Sequence, residues 1–186
     1  MIINKNLYFN KQLFISWIKK GAYAIALCII LSFFVNIKLI FFIIFCTIIN
    51  TWVVLSQAKN GLPTDVEFST VIAVIGASIF GLSIGIFLGI FTKIFTSFIK
   101  GKFIVDHFFQ IASYCMAAVV AFYFNSGSIT SLGLWITFLT NLFMFTVSKY
   151  VIPVSLVDNL AYTLTNALGN LIFFTTIAGP IYFIFK

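Results

Sequence analysis

The sequence predicts an all-α protein, a polytopic transmembrane helix bundle of six or seven spans, and three observations carry that expectation. Hydrophobic residues make up 62% of the chain and charged residues 8%, where a soluble domain carries about 25% charged residues. The apolar residues fall in long runs parted by short polar breaks, enough for six or seven crossings at ~20 residues each. Within one run, Ala73, Ala77, Gly81, Gly85 and Gly89 recur at strict four-residue spacing. Residues four apart share a helix face, so these five form a ridge almost without side chains. In lipid, helices associate by close backbone approach over such small residues.

Residues 1–20 form a basic amphipathic lead-in. Lys5, Lys11, Lys19 and Lys20 stand among Leu7, Phe9, Phe14 and Trp17, a pattern suited to the cytoplasmic interface. Residues 21–186 make a single transmembrane domain. The first span, at about 16–35, follows positive charge as a signal peptide does, but it has no A-x-A-like cleavage pattern, so it reads as a retained helix. A second span runs over 39–58 after a tight turn at Asn36-Ile37-Lys38. Gly61 and Pro63 mark a loop, and Asp65 and Glu67 at the mouth of the next helix suit its N-terminal dipole.

Residues 68–99 exceed one span. A single strongly tilted helix is one reading, and two short helices broken near Gly81 is the preferred one. A four-residue ladder drifts around a 3.6-residue helix, so the ridge is expected to act as two shorter ridges facing different helices, with Ser113, Ala117 and Ala121 as one partner surface. Further spans are expected at 105–124, at 130–152 and from about 160 to 185, the last kinked at Gly179-Pro180.

The net charge of +7 arises from eleven Lys against four acids, with no Arg. Arg is the usual residue for bidentate phosphate recognition, so no nucleic-acid partner is expected. The Lys residues read as topology signals and contacts to membrane lipid. With seven spans and a cytoplasmic N-terminus, Lys59, Lys100, Lys102 and Lys149 all lie inside, Lys93 near the inner boundary, and only Lys38 and Lys186 outside. With six spans, Lys100, Lys102 and Lys149 fall outside. Charge favours seven and leaves the count open. The localisation expected is the cell membrane, multi-pass.

No catalytic residues, cofactor or metal site are expected. His107 is the only histidine, and neither a P-loop nor a G-x-S-x-G motif is present. Cys28, Cys46 and Cys115 are scattered in apolar runs and read as core residues. Asp65, Glu67, Asp106 and Asp158 stand at span ends, where acids are usually caps or solvated. Asn159, Thr163, Asn166 and Asn170 share one face of the last span, and Thr137, Asn141 and Ser148 one face of the span before. These faces should point inward, as interhelical glue or as the lining of a site for an uncharged or zwitterionic ligand. Trp17, Trp52 and Trp135 read as interface anchors, with stacking of Trp52 and Tyr114 on a flat ligand as the alternative.

Three stretches resemble the S components of energy-coupling factor transporters. Ala22-Tyr23-Ala24-Ile25-Ala26 looks like the AxxxA pattern of that family's first helix. Residues 65–85 are similar to its second-to-third helix hairpin, with Leu82 where the family turn has Pro. Tyr150-Val151-Ile152-Pro153-Val154 resembles the end of its fifth helix. The resemblance implies a substrate-capture subunit for a small water-soluble vitamin or related metabolite. It implies a transmembrane coupling subunit and ATPase subunits as partners, docked over Ala22 and Ala26. By position, the small-molecule substrate would then touch Asp65, Glu67, Tyr114, Asn141, Asn166 and Asn170. The alternatives are a non-transporting scaffold or sensory module packing through the small-residue ridges, and a membrane-embedded enzyme acting on lipid.

Overall fold

A computed structural model describes residues 36–60, 66–101, 103–125, 127–152 and 155–186. The chain divides into two compact units, 1–40 and 41–186. Of the first unit only 36–40 are described, so the lead-in, the expected first span, and Ala22 and Ala26 lie outside the described residues. Within those residues the chain is wholly helical: α1 (Ile37–Asn60), α2 (Ser69–Phe80), α3 (Leu82–Ile99), α4 (Val105–Tyr123), α5 (Ile129–Tyr150), α6 (Leu156–Thr176) and α7 (Ala178–Phe185).

Helices α1, α3, α4 and α5 are each long and apolar enough to cross a membrane, and α6 with α7 makes a fifth candidate bent by 50°. Among the described residues that is four or five spans, fewer than the six or seven expected. The shortfall within the bundle is α2. Its 12 residues extend about 18 Å, short of a hydrocarbon core of about 30 Å.

Short as it is, α2 is the centre of the bundle. Every residue from Ser69 to Ala77 is buried, as a helix apolar on all sides should be, and α3, α4, α5, α6 and α7 all pack against it. It stops at Gly81, whose φ of 97° and ψ of 166° lie where only glycine sits without cost. There the chain reverses into α3. The break near Gly81 is as expected, and a single tilted helix is excluded.

The two ridges do not face different helices, however. They face each other. Ala77 and Gly85 are equally far from Gly81 in sequence, as are Ala73 and Gly89, so a four-residue ladder folded at its midpoint comes into register with itself. A Cβ at Gly85 would lie 2.5 Å from the Ala77 Cβ and 2.8 Å from its Cα, and one at Gly89 3.6 Å from the Ala73 Cβ. Helix α4 lies across both arms, presenting buried Ser113, Ala117 and Ala121. It comes so close that a Cβ at Gly89 would meet the Tyr114 Cβ at 2.9 Å.

Helix α1 buries a stripe at four-residue spacing, Phe42, Cys46, Asn50 and Val54. The Phe42 ring contacts those of Phe80, at 5.5 Å, and Phe185, at 5.1 Å. Its other face, including Phe41, Ile48 and Trp52, is exposed, as lipid-facing residues are. Helices α5 and α6 run antiparallel, with the Phe174 ring seated on Gly133, where a Cβ would come within 2.0 Å of it. Pro180 has no N–H to donate to the Thr176 carbonyl, so α6 ends at Thr176 and α7 starts at a new angle. The kink expected at Gly179-Pro180 thus falls one turn earlier. Cys46 is a buried free thiol and Cys115 a half-buried one.

Because the atoms opposing Gly85 are the Cβ, Cα and N of Ala77, none of which a side-chain rotation can move, Gly85→Val cannot be accommodated by a rotamer change. It should destabilise the bundle by about 1–3 kcal/mol, the usual cost of overpacking. Gly179→Ala, where a Cβ meets nothing within 4 Å, should leave the melting temperature in detergent unchanged. Equal melting of the two variants would refute the interlocked hairpin.

Candidate functional site

The site begins with a stretch of backbone that is not helical. Val66 and Glu67 lead into α2 inside the bundle, where unsatisfied backbone groups are costly and irregular chain is tolerated only when protein surrounds it. Two side chains of α1 satisfy it. Gln57 accepts from the Val66 N–H at 2.9 Å and donates to the Val66 carbonyl. Asn50, fully buried, accepts from the Phe68 N–H at 2.7 Å and donates to Ser69 Oγ at 3.1 Å. On the opposite side Val66 lies against Gly169 of α6, where a Cβ would be 2.5 Å from Val66 Cγ1.

So held, Glu67 points into the bundle and is 3% exposed. Its Oε1 forms an ion pair with Lys93 Nζ of α3, and its Oε2 accepts from the Tyr114 hydroxyl of α4 at 2.7 Å. Tyr114 lies nine residues into α4 from Val105, about 13 Å along the axis, which puts the trio well below the helix ends. Among the described residues this is the one ion pair. Charges at such depth are rare and mark functional sites more often than structural ones.

Lys93 and Tyr114 form the floor of a cavity of about 770 Å³, within the 300–1,000 Å³ typical of small-molecule sites. Its two walls differ in chemistry. Helices α3 and α4 contribute ionisable groups, Lys100, Asp106 and His107, with Gln110, whereas α5 and α6 contribute mainly amides and hydroxyls, Thr140, Asn141, Ser148, Asn159, Thr163 and Asn166. Several of these groups are oriented by neighbours. Gln110 Nε2 donates to Asp106 Oδ2 at 2.8 Å, Asn141 Nδ2 to the Thr137 carbonyl at 2.8 Å, and Asn159 Nδ2 to the Phe145 carbonyl at 3.1 Å. His107 Nδ1 lies 3.1 Å from Ser97 Oγ and 3.4 Å from the Ile104 N–H. At the mouth Ser155 caps α6, accepting from the Asp158 N–H at 3.1 Å. Among the described residues no group of three potential metal ligands converges.

Of the substrate-contact residues expected from sequence, Tyr114, Asn141 and Asn166 line this cavity together. Glu67 stands behind its floor: it precedes α2 as expected, but α2 starts at depth, so the acid is buried and not solvated. Asn170 is buried one turn below the cavity, donating to Asn166 Oδ1 at 2.6 Å. Asp65 lies outside the described residues. Trp52 is 70% exposed on the outer face of α1 and cannot stack on a ligand beside Tyr114.

Sequence reasoning missed Lys93 as a site residue, along with Gln110, Asp106 and His107. A signal for Lys93 was present, since a lysine inside an apolar helix must find a partner. Glu67 and Lys93 also stand at nearly equal distances either side of Gly81, so a reversal at that glycine brings them to the same level. The chain matches no family model, no curated protein and no solved structure.

Lys93→Met should strand the Glu67 carboxylate and cost about 3–5 kcal/mol, whereas the double variant with Glu67→Gln should regain most of that loss. Unfolding in detergent measures both. A double variant no more stable than the single one would mean that the pair is not what Lys93 contributes.

Proposed function

We propose that this protein is a substrate-capture subunit of the cell membrane, multi-pass with a cytoplasmic N-terminus, for uptake of a small water-soluble vitamin or related metabolite. It binds its substrate without chemical conversion and depends on a separate coupling subunit and ATPases for energy. The observation that carries this reading is the polar cavity floored by Lys93 and Tyr114. A bundle selected for packing alone gains nothing from it, because a buried ion pair is commonly matched or exceeded in stability by apolar side chains of similar volume. Facing walls of fixed donors and acceptors are instead what orients a small polar solute.

The alternative is a non-transporting scaffold or sensory module packing through the small-residue ridges; the Ala73–Gly89 ridge is taken up inside the bundle, by the contact between α2 and α3 and by α4, and such packing calls for no polar cavity. Docking over Ala22 and Ala26 remains part of the proposal through the resemblance of that stretch to S components.

Purification in mild detergent followed by mass spectrometry of the released small molecules tests the capture function. A bound polar metabolite is expected, and it should be lost from Asn141→Leu and Asn166→Leu without a fall in melting temperature. Retention of the same molecule by both variants would place binding elsewhere. For the partner, Ala22→Leu or Ala26→Leu should reduce co-purification of a coupling subunit while sparing the bound metabolite, and undiminished co-purification would remove that docking surface.

A further inference from the structure

We infer that the cavity opens to the cytoplasm and is closed toward the outside, so that the described state exchanges its ligand with the cytoplasmic pool. The direction of the helices is fixed by side-chain contacts. At one level Phe42 of α1 meets Phe80 and Phe185, and Asn125, after α4, donates to the Ser78 carbonyl at 3.1 Å. At the other level Gln57 of α1 holds Val66, and Ser97 of α3 lies 3.1 Å from His107 of α4. Helices α1, α3 and α5 therefore run the same way, toward the end where Lys100, Ile104, Ile152 and Ser155 line the cavity mouth.

That end is also the lysine-bearing one. Lys59, Lys100, Lys102 and Lys149 fall at the C-terminal ends of α1, α3 and α5 or just beyond, whereas Lys38 begins α1 and Lys186 follows α7. These are short loops and helix ends, the places where lysine sets orientation, with the richer side cytoplasmic. Below the floor the bundle is filled. Ala117, Ala121, Ile136, Phe174 and Ala178 are almost wholly buried there, and the Gly81 reversal brings α2 and α3 into backbone contact.

The inference rests on the proposed function only for what the ligand is; access to the cavity is a separate property. In uptake, this is the side on which a captured solute leaves. Thiol accessibility tests it without any ligand. In a background with Cys28, Cys46 and Cys115 replaced by Ser, single Ser148→Cys and Thr163→Cys variants report the cavity, and Asn125→Cys reports the opposite end. A membrane-impermeant maleimide should label Ser148→Cys and Thr163→Cys in inside-out vesicles and lose that labelling in intact cells, with Asn125→Cys behaving in the reverse sense. Cavity labelling in intact cells with Asn125→Cys protected would overturn the orientation. Cavity labelling from both sides, with Asn125→Cys labelled from outside alone, would overturn the closed far side. A one-sided cavity that retains no metabolite would instead refute the capture function and leave its sidedness standing.

Discussion

A chain that starts a helix partway through a membrane exposes backbone N–H and C=O groups to a medium that cannot bond them. In this bundle that problem falls on Val66, Glu67 and Phe68. Asn50 and Gln57, two amides on one face of α1, resolve it. Their placement fixes the depth of α2, and the depth of α2 fixes where Glu67 must be neutralised. Lys93 then has to sit on α3 at that level, and Tyr114 on α4 beside it. The cavity lies over these groups, between α3–α4 on one side and α5–α6 on the other.

The packing that surrounds this arrangement is of a different kind. It depends on absences: no Cβ at Gly85 and Gly89 where α2, α3 and α4 close together, none at Gly133 under the Phe174 ring, none at Gly169 beside Val66. Small residues permit approach, and the gain is dispersion between backbones and adjoining side chains. Polar residues set which approach is the correct one. An amide such as Asn50 binds one loop geometry, and a shifted register would leave it and the loop unsatisfied together.

Much of the helical layout was legible in the sequence, because it depends on local signals: apolar run length, the glycine at 81, the proline at 180. The polar faces of α5 and α6 were legible too, since helical periodicity shows them directly. What was not legible was anything produced by the reversal at Gly81. The ladder from Ala73 to Gly89 looks the same whether it meets another helix or itself, and spacing alone cannot distinguish the two. Glu67 looked like an ordinary acid ahead of a helix because depth in the membrane is a tertiary property. The ionisable wall on α3 and α4 was hidden for a related reason: Lys100, Asp106 and His107 stand near a loop in sequence, where charges are commonplace, and only the tertiary fold brings them to one cavity.

The length of α2 also bears on how the protein is made. Twelve residues cannot hold a transmembrane position alone, and a lone Lys near the middle of a helix costs roughly 2.5–3.5 kcal/mol to insert. Helices α2 and α3 avoid both difficulties if they leave the translocation machinery joined, the glycine reversal leading and Glu67 already beside Lys93. The contacts that join them, from Ala77–Gly85 to Glu67–Lys93, lie wholly within residues 67–93, so they can form before α4 emerges. The self-matching ladder thus joins a half-length helix and a buried lysine into one hairpin in which the Glu67–Lys93 pair carries no net charge.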